Sequence, residues 1–206
     1  MLSDDVVREI DILAHRMGTS RSNLVNRILA EHVSVMTPEA QINDIFSALE
    51  ELISPSRDLV AFFEPNVPTM SMKSCLEYKY RPTVRYEVEL YGMPRNDSIG
   101  ALSVILRTQS AALIDAMTKF FRLWKQIEDA YLAPRSGARD YALYDGKFVR
   151  SIACTHNMTS QELAQAINDY VRLFDESIKR FIGGTASGDE IAQAYVKLLA
   201  EGKIII

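Results

Sequence analysis

The sequence predicts an α+β protein in which a small all-helical N-terminal region precedes a larger domain of antiparallel strands and long helices. Two observations predict this class. Apolar residues recur at helical spacing through the first 54 residues. Beyond residue 70, segments of alternating apolar and polar residues, typical of half-buried strands, are followed by apolar stripes typical of helices.

Composition predicts a soluble protein with a sizeable core. The chain has 206 residues, of which 48% are hydrophobic and 24% are charged, and its formal net charge is −4. The N-terminus is too charged for a signal peptide, the two cysteines lie far apart, and no apolar run approaches the roughly 20 residues of a membrane span. We therefore expect a cytoplasmic location and no contact with a membrane. The mildly acidic balance leaves room for DNA binding through a local basic face.

The first two predicted helices have clear ends. Ser3 is a good N-cap, two aspartates follow it, and Gly18 can supply the left-handed residue that ends a helix. Thr19 and Ser20 offer the next N-cap. Because the connection is so short, the apolar stripes of the two helices cannot be fully buried within the pair, which favours a partner chain.

A third helix is predicted to begin with Thr37 as its N-cap and Pro38 at its first position, and to end near Ser54. Three of the seven prolines lie within the next fifteen residues. We therefore predict a linker over 55–69, which divides the chain into an N-terminal region of residues 1–54 and an α+β domain of residues 70–206.

The α+β domain is predicted to have the element order βββ-α-ββ-αα. Its expected elements are strands over 76–80 and 84–90 joined by a turn at 81–83, a central strand over 101–106, a long helix over 110–131, a hairpin over 141–152 that turns at Asp145-Gly146, and two final helices opened by capping boxes at Thr159 and Ser187.

Three features of residues 2–33 carry a resemblance. They are the acidic start of the first helix, the run Ile10-Asp11-x-Leu13-Ala14, and Gly18-Thr19-Ser20-Arg21-Ser22 at the start of the second helix. Together they resemble the ribbon-helix-helix family of DNA-binding proteins, the Arc- and MetJ-like repressors. The resemblance covers about the first 35 residues and leaves the rest of the chain unmatched.

This resemblance implies a dimer in which one strand from each chain forms a ribbon in the DNA major groove, while the start of the second helix binds a phosphate. It assigns the phosphate contact to Ser20, Arg21 and Ser22. Arg16 and Arg27 are weaker candidates, chosen because they lie near that end or face outward. The implied dimer core consists of Val6, Ile10, Leu13, Leu24, Val25 and Ile28.

One part of the family pattern is missing from the sequence. In the family, a strand of about six residues precedes the segment that begins here at Leu2, and only Met1 stands in front of it. Either the start has been clipped or misassigned, or the helices were kept and the base-reading ribbon was lost. We favour the first explanation because the second helix still has the residues that a phosphate contact needs.

The sequence gives only weak indications of catalytic, phosphate-binding or metal-binding chemistry. Cys154-Thr155-His156 could pair a nucleophile with a base, but no orienting group accompanies it. Gly183-Gly184 lacks the residues of a phosphate loop, and the three histidines are scattered. We therefore expect no enzyme activity, no metal and no cofactor.

A basic region with aromatic residues lies near the first predicted hairpin, and such a region can bind single-stranded nucleic acid. Its members are Lys73, Lys79, Tyr80, Arg81, Arg85 and Tyr86. Three glutamates share the region: Glu77, Glu87 and Glu89. We therefore favour cross-strand ion pairs on a solvated face.

The expected function is that of a dimeric, sequence-specific transcriptional regulator of the repressor type. Its expected partners are double-stranded DNA and a second copy of the chain, with a further protein or small ligand at the α+β domain. The alternative is a non-enzymatic protein–protein interaction or oligomerisation protein whose N-terminal helices only dimerise.

Overall fold

The structure is a computed structural model that describes residues 3–65, 67–153, 158–201 and 206. These residues form seven helices and one six-stranded antiparallel sheet, which confirms the α+β class. The helices are α1 (Asp4–Arg16), α2 (Arg21–His32), α3 (Pro38–Ile53), α4 (Ala111–Tyr131), α5 (Ala133–Ser136), α6 (Ser160–Ile182) and α7 (Gly188–Ala200). The strands are β1 (Val60–Phe62), β2 (Thr69–Cys75), β3 (Thr83–Arg95), β4 (Ser98–Leu106), β5 (Tyr141–Tyr144) and β6 (Lys147–Ala153), in the sheet order β1-β2-β3-β4-β6-β5.

The first two helices, here called the N-terminal helix pair, begin and end as predicted. Ser3 stands at the N-cap of α1 without a side-chain cap bond, whereas Ser20 Oγ accepts a hydrogen bond of 3.2 Å from Asn23 N. Gly18 has a φ of 62°, a backbone conformation that a residue with a Cβ adopts only with strain. This glycine therefore permits the tight turn between the two helices.

Helix α3 differs from its predicted place in the N-terminal region. Thr37 caps it and Pro38 opens it, as expected. Its apolar face, however, is buried in the core shared by the sheet and α6, where Phe46 and Leu49 have no exposed area. We call the sheet together with α3 to α7 the sheet body.

The predicted linker contains a strand. Residues 60–62 form β1, which pairs antiparallel with β2 so that Ala61 lies opposite Met72. The three prolines of this stretch fall outside the strand. Proline has no amide hydrogen to donate to a sheet, and all three lie away from the residues of β1 that pair with β2.

The prediction of a strand over 76–80 was wrong. Strand β2 ends at Cys75, which lies opposite Thr83 of β3, so residues 76–82 form the connection between the strands. Leu76 N donates to Pro82 O and Arg81 N donates to Tyr78 O, which closes this loop. The alternating apolar residues of 76–80 therefore lie in a loop, and the side chain of Tyr80 is 88% exposed.

Apart from the short α5, which was not predicted, the remaining elements agree with prediction. Strand β4 lies centrally between β3 and β6, although its apolar run is buried at alternate residues only. Gly100 on this strand is needed because a Cβ there would stand 2.2 Å from Glu89 O. The Asp145-Gly146 hairpin joins β5 to β6. Thr159 and Ser187 form the predicted capping boxes of α6 and α7.

An aromatic cluster fills the space between the helices and one face of the sheet. Phe174 of α6 lies at its centre, with its ring centroid 4.7 Å from that of Trp124 on α4 and 5.5 Å from that of Phe148 on β6. Tyr86 of β3 contacts the same ring from another strand. One side chain thus joins two helices and two strands.

We predict that Phe174→Ala lowers the free energy of unfolding by about 3–5 kcal/mol, because it removes apolar contacts and leaves a cavity. Urea denaturation would measure this decrease. Tyr131→Ala serves as a control, since Tyr131 is 43% exposed on α4 and its truncation should change stability by no more than about 0.5 kcal/mol. A decrease below about 1 kcal/mol for Phe174→Ala would contradict the central role of this ring.

Candidate functional site

The turn between α1 and α2 brings together the residues predicted to contact a phosphate. Helix α1 ends at Arg16 and α2 begins at Arg21, with four residues between them. Further along α2, Arg27 Nη2 lies 3.2 Å from Met17 Sδ, so this arginine reaches back to the turn. All five candidates therefore lie around one turn: Arg16, Ser20, Arg21, Ser22 and Arg27.

Main-chain amides of the first turn of α2 add donors to this place. The intrahelical ladder begins with Leu24 N, which donates to Ser20 O. The amides of Arg21 and Ser22 precede it, at the end of the helix where the dipole is positive. Such a helix start favours an anion.

Acidic neighbours reduce the positive charge of this turn. Arg21 Nη1 lies 3.3 Å from Asp11 Oδ2, and Arg27 Nε lies 3.8 Å from Glu31 Oε1. The side chains of Arg21 and Asp11 are about half exposed, at 53% and 52%. An exposed pair of this kind contributes about 0–1 kcal/mol, so a phosphate could displace the carboxylate at little cost.

The residues predicted to form a dimer core have different surroundings in the single chain. Leu24 is buried within the helix pair, and Ile10 and Val25 are half-buried. The other three are exposed, by 44% for Val6, 39% for Leu13 and 42% for Ile28. Three further exposed apolar side chains extend the uncovered surface toward the end of α2: Leu29, Val33 and Val35.

The basic region near the first predicted hairpin does not bring its aromatic rings together on one surface. Tyr86 points into the core, where its hydroxyl donates to Asp175 Oδ1 at 2.8 Å, whereas Tyr80 lies on an exposed loop beneath Lys79. Arg85 forms an ion pair with Glu87 on the same strand. These contacts support ion pairing rather than base stacking at this hairpin.

The other candidates yield no catalytic or metal site among the described residues. Cys154-Thr155-His156 lies outside them. His15 and His32 are exposed at the ends of α1 and α2. Across residues 3–65, 67–153, 158–201 and 206, no three His, Cys, Asp or Glu side chains are grouped so as to hold a metal ion.

A buried polar cluster in the sheet body was missed by sequence reasoning. Arg150 Nε of β6 donates to Glu128 Oε2 of α4 at 3.1 Å, and neither side chain has any exposed area. The hydroxyl of Tyr141 donates to the same oxygen at 2.9 Å, and that of Tyr195 donates to Oε1 at 3.1 Å. Because three donors occupy this carboxylate and its side chain has no exposed area, we assign it to the fold rather than to a substrate.

The guanidinium of Arg150 makes further contacts. Its Nη2 donates to Ile206 O at 2.6 Å, and its centre lies 4.6 Å from the ring centroid of Tyr170. Arg139 Nε donates to the same carbonyl at 3.3 Å. Among the described residues, the Nη1 of Arg150 has no hydrogen-bond partner. The cluster therefore connects strand, helix and the last residue of the chain.

Proton affinities in this cluster follow from burial and from the carboxylate. Burial, followed by the charge of Glu128, raises the pKa of Tyr141 and Tyr195. For Arg150, burial acts to lower the pKa, but the charge of Glu128 and the nearby tyrosines outweigh it and raise the pKa. The Arg150 guanidinium therefore stays protonated beside Glu128.

A sequence signal for this pair existed. Glu128 follows Trp124 by four residues, so it continues the apolar stripe of α4, and Arg150 stands between Phe148 and Ile152 on the buried face of β6. A charged residue at an inward position of a helix and another on a strand indicate a buried pair.

We predict that Glu128→Ala lowers the free energy of unfolding by about 3–5 kcal/mol, because it leaves the charge of Arg150 buried without a counterion. The double variant Glu128→Met with Arg150→Met should be less destabilised than Glu128→Ala. Thermal and urea denaturation of these variants would provide the comparison. Equal destabilisation in both would argue against an ion pair that acts as a unit.

We also predict that stability falls as the pH rises above about 10, the ordinary pKa of tyrosine. Four buried tyrosines have a raised pKa in the folded chain: Tyr86, Tyr141, Tyr170 and Tyr195. As the pH rises, the unfolded chain loses these protons before the folded chain does. Their contribution to the free energy of unfolding is therefore full below about pH 10 and declines above it. Urea denaturation from pH about 8 to 11 should show the decline. Tyr195→Phe should make it shallower, whereas Phe at the exposed Tyr80 should not. A flat profile would contradict this linkage.

Comparison with known proteins adds no relative. No family model, no curated protein and no solved structure matches the chain. Among the described residues, no helix is both long and apolar enough to cross a membrane. The geometry of the residues themselves is therefore the basis for any functional proposal.

Proposed function

We propose that this protein is a DNA-binding transcriptional regulator of the repressor type, which acts as a dimer through its N-terminal helix pair. One observation carries the proposal. Three arginines and two serines meet around the turn that leads into α2, where the amides of Arg21 and Ser22 precede the hydrogen-bond ladder of the helix. Cationic, hydroxyl and amide donors at one helix start are the groups that proteins use to hold a DNA phosphate.

The exposed apolar side chains of the same helices support the dimer. Val6, Leu13 and Ile28 belong to the apolar stripes of α1 and α2, yet each keeps about two-fifths of its area exposed. Two short helices with so much uncovered apolar surface gain stability when a second pair covers it. A dimer also doubles the number of phosphate contacts and so strengthens binding to DNA.

A protein–protein interaction role is the alternative. It is favoured by the ion pair between Arg21 and Asp11, which partly neutralises the proposed phosphate contact, and by the net charge of −4. In this alternative, the helix pair dimerises without binding DNA, and the sheet body provides the activity. The two functions differ in a single measurable property, the affinity for duplex DNA.

Fluorescence anisotropy would test the proposal. The chain, with and without any in-frame codons upstream of Met1, is titrated into a labelled duplex from its own upstream DNA and into a scrambled duplex. Each titration is repeated at two salt concentrations. We expect saturable binding that weakens steeply with salt, because phosphate contacts release counterions. Preference for the natural duplex would report base reading.

We predict that Arg21→Ala weakens binding to both duplexes alike and reduces the salt slope by about 0.9 for each phosphate that is no longer neutralised. Arg122→Ala is the matched control, since Arg122 is an exposed arginine on α4, outside the N-terminal helix pair. It should leave both affinities unchanged. If neither form of the chain binds either duplex, the regulator proposal fails and the interaction role is favoured.

A further inference from the structure

One face of the sheet is covered by helices, and the other carries no described helix. The inward residues of the strands belong to the core, whereas the alternate residues remain half-buried or exposed and lie outside it. These outward residues form what we call the open face. Their identities and their order across the strands indicate what covers them.

Strand register arranges the open face in three rows that cross the strands. The first row, in sheet order, is Val60, Lys73, Arg85, Ile105, Lys147 and Tyr144. The second row is Phe62, Ser71, Glu87, Ser103, Val149 and Ala142. The third row is Thr69, Glu89, Ala101 and Ser151.

The middle of the open face is flat and only weakly polar. Small and aliphatic side chains occupy neighbouring positions on β4 and β6, and each is half-buried: Ala101, Ser103, Ile105, Val149 and Ser151. Small side chains allow another surface to approach the backbone closely. A solvated sheet face normally alternates to charged or strongly polar residues, so this patch is typical of a contact surface.

Charge on the open face is separated by row. The cations of these three rows, Lys73, Arg85 and Lys147, all lie in the first, and the anions Glu87 and Glu89 lie in the second and third. Within these three rows the face is therefore positive at one end of the strands and negative toward the other, and the ion pair between Arg85 and Glu87 lies along this direction. Such a face complements a copy of itself turned end for end, but repels a copy in the same direction.

We propose that the open face binds the open face of a second copy of this chain, with the strands of the two sheets running in opposite directions. A two-fold axis across the strands places the positive end of each face over the negative end of the other. Two antiparallel sheets then pack face to face with their strands nearly aligned, as in a β-sandwich. The proposal does not depend on DNA binding.

Nucleic acid fits this face less well. Base stacking needs aromatic rings along the path of the strand, but the exposed rings of Phe62 and Tyr144 lie on the two opposite edge strands, β1 and β5. The ring of Phe62 is also covered by Lys73 Nζ at 4.6 Å. Glu87 and Glu89 would repel phosphates that the first row attracts.

The area of the open face sets the expected strength of the association between two copies. The four inner strands at about 4.8 Å spacing, over five residues at about 3.4 Å each, together with the shorter β1 and β5, cover about 440 Å² on each copy. Two copies together reach about 900 Å², slightly below the roughly 1,000 Å² of a stable specific interface. We therefore expect a reversible, concentration-dependent association.

Sedimentation velocity of the full chain over a concentration range would test this. Arg85→Glu and Glu89→Arg should each halve the mass reached by the wild type, because each places like charges of the first and third rows opposite one another. The double variant Arg85→Glu with Glu89→Arg should restore that mass, since it exchanges the two signs. Arg122→Glu, on an exposed position of α4, is the matched control and should behave as wild type.

If the same two copies also dimerise through their N-terminal helix pairs, the mass stays that of a dimer in the single variants, and the cross-link at residue 103 then separates this contact from the proposed function. A chemical cross-link would locate the contact. With Cys75 and Cys154 replaced by serine, Ser103→Cys should give a covalent dimer with a short bismaleimide. Gln193→Cys, exposed on α7, should not.

Unchanged mass in both single variants, together with no cross-link at residue 103, would overturn the proposal. Binding of a labelled oligothymidylate that is abolished in Arg85→Glu would also overturn it, because nucleic acid would then be the occupant. Circular dichroism of each variant would establish that a lower mass does not reflect unfolding, and the restored double variant provides the same control independently.

Discussion

The buried ion pair between Glu128 and Arg150 is the interaction on which the sheet body depends most. Two charges without exposed area are costly unless they satisfy each other, and here they do so across α4 and β6. The hydroxyl of Tyr195 on α7 donates to the carboxylate of Glu128, and Ile206 O accepts a hydrogen bond from the guanidinium of Arg150. A shift of β6 by one residue would move Arg150 to the open face and leave Glu128 without its partner. The pair therefore specifies both register and helix position.

Local signals made most elements of this fold predictable. Caps at Ser20, Thr37 and Thr159 and the turn at Asp145-Gly146 are decided by neighbours in the sequence, and each lies where it was expected. The prediction of a strand over 76–80 was wrong for a non-local reason. Pairing with β3 begins at Cys75, so the tyrosines beyond it had no strand to face. Strand β1 was missed because three residues carry too little pattern.

The two candidate surfaces, the turn before α2 and the open face, also differ in how far the sequence predicts them. The turn at Ser20 and Arg21 lies within a short stretch of chain, so its residues could be named from the sequence. The rows of the open face join β4 to β6 across more than forty residues, and Arg85 and Lys147 share a row only because of that pairing. Sequence alternation shows which residues share a face of one strand, but it does not give the neighbour of that strand.

The connection between α2 and α3 is short. Five residues separate His32 from Pro38, and Val35 N donates to Ala30 O, so the chain leaves α2 in a hydrogen-bonded turn. Such a stretch spans at most about 20 Å even when extended. Each helix pair is thus tethered closely to its own sheet body. If two sheet bodies pack as proposed, the packing of their β-strands would set the distance between the two N-terminal helix pairs, and with it the distance between any two ligands that those pairs bind.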